Sequence, residues 1–317
     1  MLFRSGTVPS AGTLKVLNYF QQIKDSGFQG GNTVVFLDSY FITNIPGTKQ
    51  FQISNPYDGL TWNALQFASK EAYTDDLRGV AVDNGNLGLL GDISMEYWQN
   101  TGAYPFPFQR IAGSPTDVGV AALWSVARCS GNLYYLARTR RGSLSVIKVY
   151  NYQPIVVSTP DLDYLINGYP SPEDCIGFAY RFNGHEFYEL NFQAAGVTWL
   201  WDATSETWST MTSGTGPRHY AQYGTQYNGE IVASDYRNGN IYSLDVDTYT
   251  DNGDQIIREL ITPHTFSSNT FNRLTISRLR MDMEQGIGLV SGQGSKDRKS
   301  TRLNSSHTDI SRMPSSA

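Results

Sequence analysis

Cysteine is almost missing from this 317-residue chain: Cys129 and Cys175 are too few for a disulfide framework, and buried free thiols are the expectation. Long apolar runs are missing too. None approaches the ~18 residues that span a bilayer, so no membrane-crossing helix is expected. Histidine is scarce, and His185, His219, His264 and His307 stand far apart with neither metal-ligand spacing nor a nucleophile motif beside them. They are read as turn or surface residues. Charge is thin as well, with only 17% of residues being Asp, Glu, Lys or Arg.

The two ends differ in character from the rest. Asp297–His307, DRKSTRLNSSH, resembles the in-frame translation of a short-read sequencing-library adapter, and Ser311–Ala317, SRMPSSA, resembles the same adapter in a shifted frame. Met1–Ser5, MLFRS, resembles the end of the opposite adapter. Residues 1–5 and 296–317 are therefore set aside as adapter-derived, the latter as a disordered tail, and residues 6–295 are read as a domain fragment open at both sides. Without Arg4, Lys296, Arg298, Lys299, Arg302 and Arg312, and without Asp297 and Asp309, the 24 basic and 29 acidic residues fall to 18 and 27, a net charge of −9. Such a balance opposes tight binding to nucleic-acid phosphates, which depends on Lys and Arg displacing counterions. It suits a surface past which DNA must slide.

What the chain has in quantity is aromatic residues: 20 Tyr, 15 Phe and 6 Trp, which favour a pleated surface over a helical bundle. It also has a repeated turn. Ile231–Asp251 states the unit: a short apolar strand, then Asn238-Gly239, then a strand leaving as Ile241–Asp245. Asn-Gly between two strand-like runs predicts a hairpin, because a two-residue turn needs positive φ at both central positions. Related runs surround Asn84-Gly85, Ser130-Gly131, Asn183-Gly184 and Asn228-Gly229. Their glycines lie 46, 53 and 45 residues apart, and a hairpin at Asp38-Ser39 precedes them by a similar step. One four-stranded propeller blade takes about 40–50 residues. The fold class expected is all-β, an incomplete β-propeller with about five to six blades represented, with a β-sandwich as the alternative.

Along the chain, Thr13–Tyr19 and Phe20–Lys24 are read as outer strands of an incomplete first blade. Asn32–Leu37, Tyr40–Thr43 and Gln50–Ser54 are strands, with Pro46-Gly47-Thr48 as a turn, and Ala64–Ala72 is read as loop. Met95–Trp98 is a strand, while Tyr104–Phe108, carrying two prolines, is read as a crossing between blades. Leu144–Tyr150 and Ile155–Ser158 continue the next blade. A hydroxyl cap, an early Pro and a following Gly168 mark a helix over Asp161–Ile166. Thr198–Asp202 is a strand, Trp208 is placed between blades, and Leu274–Met283 is a long alternating strand.

Candidate chemistry is sparse. Asp245, Asp247, Asp251 and Asp254 have the close carboxylate spacing that suits Ca²⁺, but the EF-hand pattern fails and strand-end acids facing water are expected. Gly286-Ile287-Gly288 through Gly292 lacks the G-x-G-x-x-G spacing of a phosphate loop and is read as a turn. Arg138, Arg140 and Arg141 are expected at a solvated hairpin tip, with contact to an acidic neighbouring subunit as the second reading. Trp62, Trp98, Trp124, Trp199, Trp201 and Trp208 could stack on sugars if they met at a pore mouth beside two carboxylates. Burial between blades would instead give them a packing role.

The residues also carry a resemblance. Asp38–Ile42 with Pro46-Gly47-Thr48 and Gln50–Ser54, Tyr57–Trp62, Phe106–Ile111, Gly168-Tyr169, Gly229–Gly253, and Met281–Leu289 with Ser291–Ser295 together resemble the packaged-DNA stabilisation (tail hub or nozzle) proteins of short-tailed, podovirus-type phages. The resemblance implies a structural virion protein made in the bacterial host cytoplasm and assembled with copies of itself as a ring, expected to be hexameric. The ring would lie below the portal-adaptor complex and meet tail needle or plug proteins. Double-stranded DNA would pass through its channel without sequence-specific binding, retained until ejection. The resemblance brings no catalytic residue, no cofactor and no metal, and no membrane. The alternative is a propeller glycan-binding protein or glycosidase.

Overall fold

A computed structural model describes residues 21–214, 216–245, 248, 250–256 and 259. The terminal segments set aside above lie outside the described residues, as do Thr13–Tyr19 and Leu274–Met283. Residues 21–24 form no strand, contrary to the expectation for Phe20–Lys24. The chain divides into two compact units, Met1–Gly177 and Phe178–Ala317.

The first unit contains three antiparallel sheets in which neighbours in sequence are neighbours in space. The first sheet is β1 (Val34–Leu37), β2 (Tyr40–Asn44), β3 (Gln50–Asn55) and β4 (Asp58–Ser69), paired in that order. The second is β5 (Leu77–Asp83), β6 (Asn86–Gly91), β7 (Met95–Asn100) and β8 (Phe108–Arg110). In the third, β9 (Val118–Val120) and β10 (Ala127–Cys129) both pair with β11 (Asn132–Thr139), which is followed by β12 (Leu144–Tyr150) and β13 (Gln153–Val156). The first two sheets are four-stranded meanders and the third is a four-stranded meander with β9 added beside β11, the repeat expected of a propeller blade.

In the second unit, β14 (Ile176–Phe182), which begins at the boundary, pairs in order with β15 (His185–Phe192), β16 (Val197–Asp202) and β17 (Thr207–Met211). A three-stranded sheet of β18 (Ala221–Tyr227), β19 (Glu230–Asp235) and β20 (Ile241–Leu244) follows, then the pair β21 (Thr250–Asp251) and β22 (Asp254–Gln255). The helix α1 (Pro160–Asn167) of the first unit starts where expected, with the Thr159 hydroxyl accepting from the Leu162 N–H.

The turns explain why these strands pair as they do. Asn84-Gly85, Ser130-Gly131, Asn183-Gly184 and Asn228-Gly229 all have positive φ at both positions, and so does Asp38-Ser39. A turn of that hand matches the right-handed twist of the strands it joins.

Packing follows the period of two. Along the second sheet, Val80, Leu87, Leu89 and Trp98 point into one core with Leu37, Ile42, Phe51 and Ile53 of the first sheet. Their neighbours Ala81, Leu90 and Tyr97 point the other way, into a core with Val120, Leu133, Tyr135, Ile147 and Val149 of the third sheet. A strand buried on both faces reads as a continuous apolar run, as Leu87–Leu90 does. Within the second unit, Phe178 and Tyr180 meet Ala221, Ile231 and Ala233. Phe178 lies so close to Gly224 that a Cβ there would fall 2.4 Å from the ring.

Three expectations about the strands and turns need correction. Ala64–Ala72 is not a loop: residues 64–69 belong to the long strand β4, whose irregular register with β3 hides the alternation that would announce a strand. Tyr104–Phe108 does not cross between blades. It joins β7 to β8 within one sheet, and Phe108 is itself the first residue of the fourth strand. The hairpin over Ile231–Asp245 exists, but Asn238-Gly239 is not its two-residue turn, since neither has positive φ. Instead the Asp235 carboxylate gathers the loop, accepting from the Arg237 N–H and guanidinium, the Asn238 amide and the Tyr242 hydroxyl. Trp208 is only half-buried and lies 5.1 Å from the ring of Trp201, its cross-strand partner within the same sheet.

Candidate functional site

Two places concentrate unusual side chains. In the second unit, β15 carries Glu189 with its side chain fully enclosed. Glu189 Oε1 accepts from the Asn191 amide at 3.2 Å and lies 2.9 Å from His219 Nδ1. His219 is held in turn by its backbone N–H, which donates to the Thr198 hydroxyl of β16, while that hydroxyl donates to Asn191 Oδ1 at 2.6 Å. Burial opposes a charged imidazole here, but the Glu189 carboxylate, aided by Asp251, outweighs it and raises the His219 pKa above its ordinary value. His219 lines a cleft of about 410 Å³ together with Ser213, Tyr220, Tyr242, Asp245 and Asp251.

The first unit holds an apolar cleft of about 400 Å³ on the face of the first sheet that looks away from the second. Ile23, Phe28, Val34, Phe41, Leu60 and Trp62 line it. Val34 and Phe36 on β1 remain 64% and 51% exposed, an unusual amount for strand residues of that size. Asp58 closes the β3–β4 turn by accepting from the Leu60 N–H and the Thr61 hydroxyl, which sets Trp62 into the cleft against Phe28. Those two hydrogen bonds, hydroxyl first, lower the Asp58 pKa.

The remaining candidates scatter. His185 follows the Asn183-Gly184 turn, as expected of a turn residue, and its Nδ1 lies 2.7 Å from Asp202 Oδ2. Against the partial burial of Asp202, the Ser205 hydroxyl, the Thr204 N–H and His185 hold that carboxyl down to about 2. His219 overturns the surface reading, because Glu189 provides the partner that makes its burial tolerable. His264, His307, Asp247, Gly286-Ile287-Gly288 and Gly292 lie outside the described residues. Asp245 accepts from the Thr248 hydroxyl, and Asp254 from the Tyr220 hydroxyl.

Arg140 and Arg141 are exposed at the turn between β11 and β12, as expected, with Arg140 over the Tyr73 ring; Arg138 alone is half-buried, donating to Glu173 at 2.6 Å and lying 3.8 Å from Asp92. Trp62, Trp98 and Trp201 are buried, with Trp98 in the core between the first and second sheets, whereas Trp124 is 55% exposed. Cys129 and Cys175 are buried and form no disulfide, and burial pushes the Cys175 thiol well up.

Sequence reasoning also missed a polar centre in the first unit. Lys70, fully buried, donates to Asp75 at 2.5 Å and to the Ser94 hydroxyl at 2.6 Å. Gly91 makes room for it, since a Cβ there would lie 2.2 Å from the Lys70 Nζ. Burial works against the Asp75 charge, but Lys70, Ser94 and the Ile93 N–H together hold its pKa below the usual carboxylate value. A lysine five residues before an aspartate reads as surface charge, and only the glycine, 21 residues away, hints otherwise.

A family model described as Phage_stabilise, Bacteriophage P22 Gp10, beta-propeller, matches residues 3–249. The chain belongs to this phage-stabilisation family. It is therefore a structural phage protein concerned with DNA stabilisation, and its all-β blades are those of a propeller. No curated protein matches the chain. Among solved structures it is similar to a puromycin-hydrolysing peptidase of Mycobacterium tuberculosis, at 9% identity and a TM-score of 0.34 over 66% of this chain. The chain spans 37% of that peptidase's length. A putative exported protein of Bacteroides fragilis is similar at 9% identity and a TM-score of 0.23, over 63% of this chain and 77% of the other. At that level neither likeness bears on activity. No helix among the described residues is long and apolar enough to cross a membrane.

Proposed function

We propose that this chain is a subunit of a phage tail hub, a ring of copies below the portal-adaptor complex that helps retain packaged DNA until ejection. The observation that carries the reading is the phage-stabilisation family match over residues 3–249 of a chain built from repeated four-step blades. Its acidic balance supports the reading as well, because a channel wall that repels phosphates lets a duplex slide without sticking. On this proposal the exposed apolar face of the first sheet is available for assembly with other virion proteins.

The test is to express the full-length gene and image the product by electron microscopy, alone and with the portal-adaptor complex. Closed rings that bind the adaptor are the expected outcome. A stable monomer with hydrolase activity on glycans would overturn the proposal in favour of the glycosidase reading.

A further inference from the structure

Glu189 is an enclosed carboxylate with one oxygen engaged and the other, Oε2, accepting no hydrogen bond. A charge in that position is tolerable only beside an opposite charge, because breaking a buried pair leaves the survivor uncompensated. The cation is supplied by His219, on the segment that leads into β18. We propose that the Glu189–His219 contact is a proton-operated clasp that ties the lead-in of β18 to β15 and β16 while the imidazole holds its proton and releases it when that proton is lost as pH rises.

Other ionisable groups surround the clasp: the Tyr180 phenol also hydrogen-bonds Glu189, and Arg218 is buried with no hydrogen-bond partner at Nη1. Asp251 of β21 adds negative charge beside His219. Tyr180 of β14 is buried near Glu189, and burial together with that carboxylate raises its phenol well above the usual value, so it stays neutral. Tyr220, next in sequence, has its hydroxyl on Asp254 and carries the Arg237 guanidinium over its ring. Arg218, on the other side of His219, is engaged over the Tyr236 ring at 3.6 Å.

The direction follows from the raised His219 pKa. The pair contributes its full stabilisation below the ordinary histidine value of about 6.5 and loses it as pH rises through the higher folded value. Release has somewhere to propagate, since the backbone of His219 is hydrogen-bonded to Thr198 and, through that hydroxyl, to Asn191. None of this rests on the phage assignment.

The test follows the thermal midpoint of the full chain between pH 6 and 9.5. The unsubstituted protein should lose several degrees across that range, and His219→Gln and Glu189→Gln should each flatten the decline. A His219→Gln profile falling in parallel with the original overturns the clasp. Should both variants fail to fold, the ring resonances of the unsubstituted chain decide. A His219 ring that titrates above pH 6.5 supports the proposal, and one that titrates at or below 6.5 overturns it.

Discussion

Each compact unit buries an ion pair, and the two pairs face opposite ends of the pH scale. Lys70–Asp75 in the first unit joins a lysine to a carboxylate whose pKa is held below its ordinary value. Its contribution is present above a pH of about 4 and is lost only as acid titrates Asp75 through its lower folded value. His219–Glu189 in the second unit joins a carboxylate to an imidazole whose pKa is raised, so its contribution fades as pH rises through that higher value. Both are enclosed, yet the first is weakened by acid, through its carboxylate, and the second by base, through its imidazole. Burial alone therefore says little about how dependable a pair is; the chemistry of its cation decides.

The sharpest way to break the comparison is to remove the lysine cation. Lys70→Met should destabilise the first unit by about 3–5 kcal/mol, because Asp75 and the Ser94 hydroxyl are left behind in a space shaped for an ammonium group. Denaturant titration would measure it. If Lys70→Met and His219→Gln cost the same at pH 9, the distinction between the acid-weakened and the base-weakened pair fails.

A second perturbation leaves both pairs intact and attacks the packing beside one of them. Gly224→Val in the second unit should cost about 1–3 kcal/mol by driving a side chain into the Phe178 ring. Peptide-resolved hydrogen exchange should show faster exchange in β14 and β18, with the sheets of the first unit unchanged.

Acid provides a third. Partial burial opposes the charge of Asp235, but hydrogen bonds from Arg237 and Tyr242 hold its carboxyl down to about 2. Its stabilisation is thus present above about pH 4 and disappears as pH falls toward 2. Asp235→Ala should lower stability at pH 7 by about 1–2 kcal/mol and remove that part of the acid transition. The smallest effect is expected at Arg78, whose pairing with Asp92 is largely exposed. Arg78→Ala should change stability by less than about 0.5 kcal/mol, and a larger effect would show surface pairs outweighing buried ones here.

What the sequence disclosed and what it hid divide along the same physical line. Turns are local, and Asn84-Gly85 or Asn183-Gly184 states its backbone conformation in two letters, so the blade repeat was readable from their spacing. The outer strand β4 was not, because an irregular register and partial exposure blur the alternation over Ala64–Ser69. The hairpin loop at 236–240 misled because a carboxylate three residues upstream of Asn238, rather than the Asn-Gly pair, sets its shape. Ion pairs were the least legible. Glu189 and His219 are 30 residues apart, and nothing near either announces the other.

The double-sided burial of β6 has a consequence for how its register is set. Leu89 and Leu90 serve opposite cores, so sliding the strand by one residue would exchange leucine for leucine and leave no greasy group in water. Oil-and-water sorting is blind to that mistake. Shape must detect it: Gly88, where an added methyl would press on Met95 and Tyr97, and Gly91, which makes space for the lysine ammonium, accept no bulkier visitor. The two smallest residues of the strand thus act as its alignment pins.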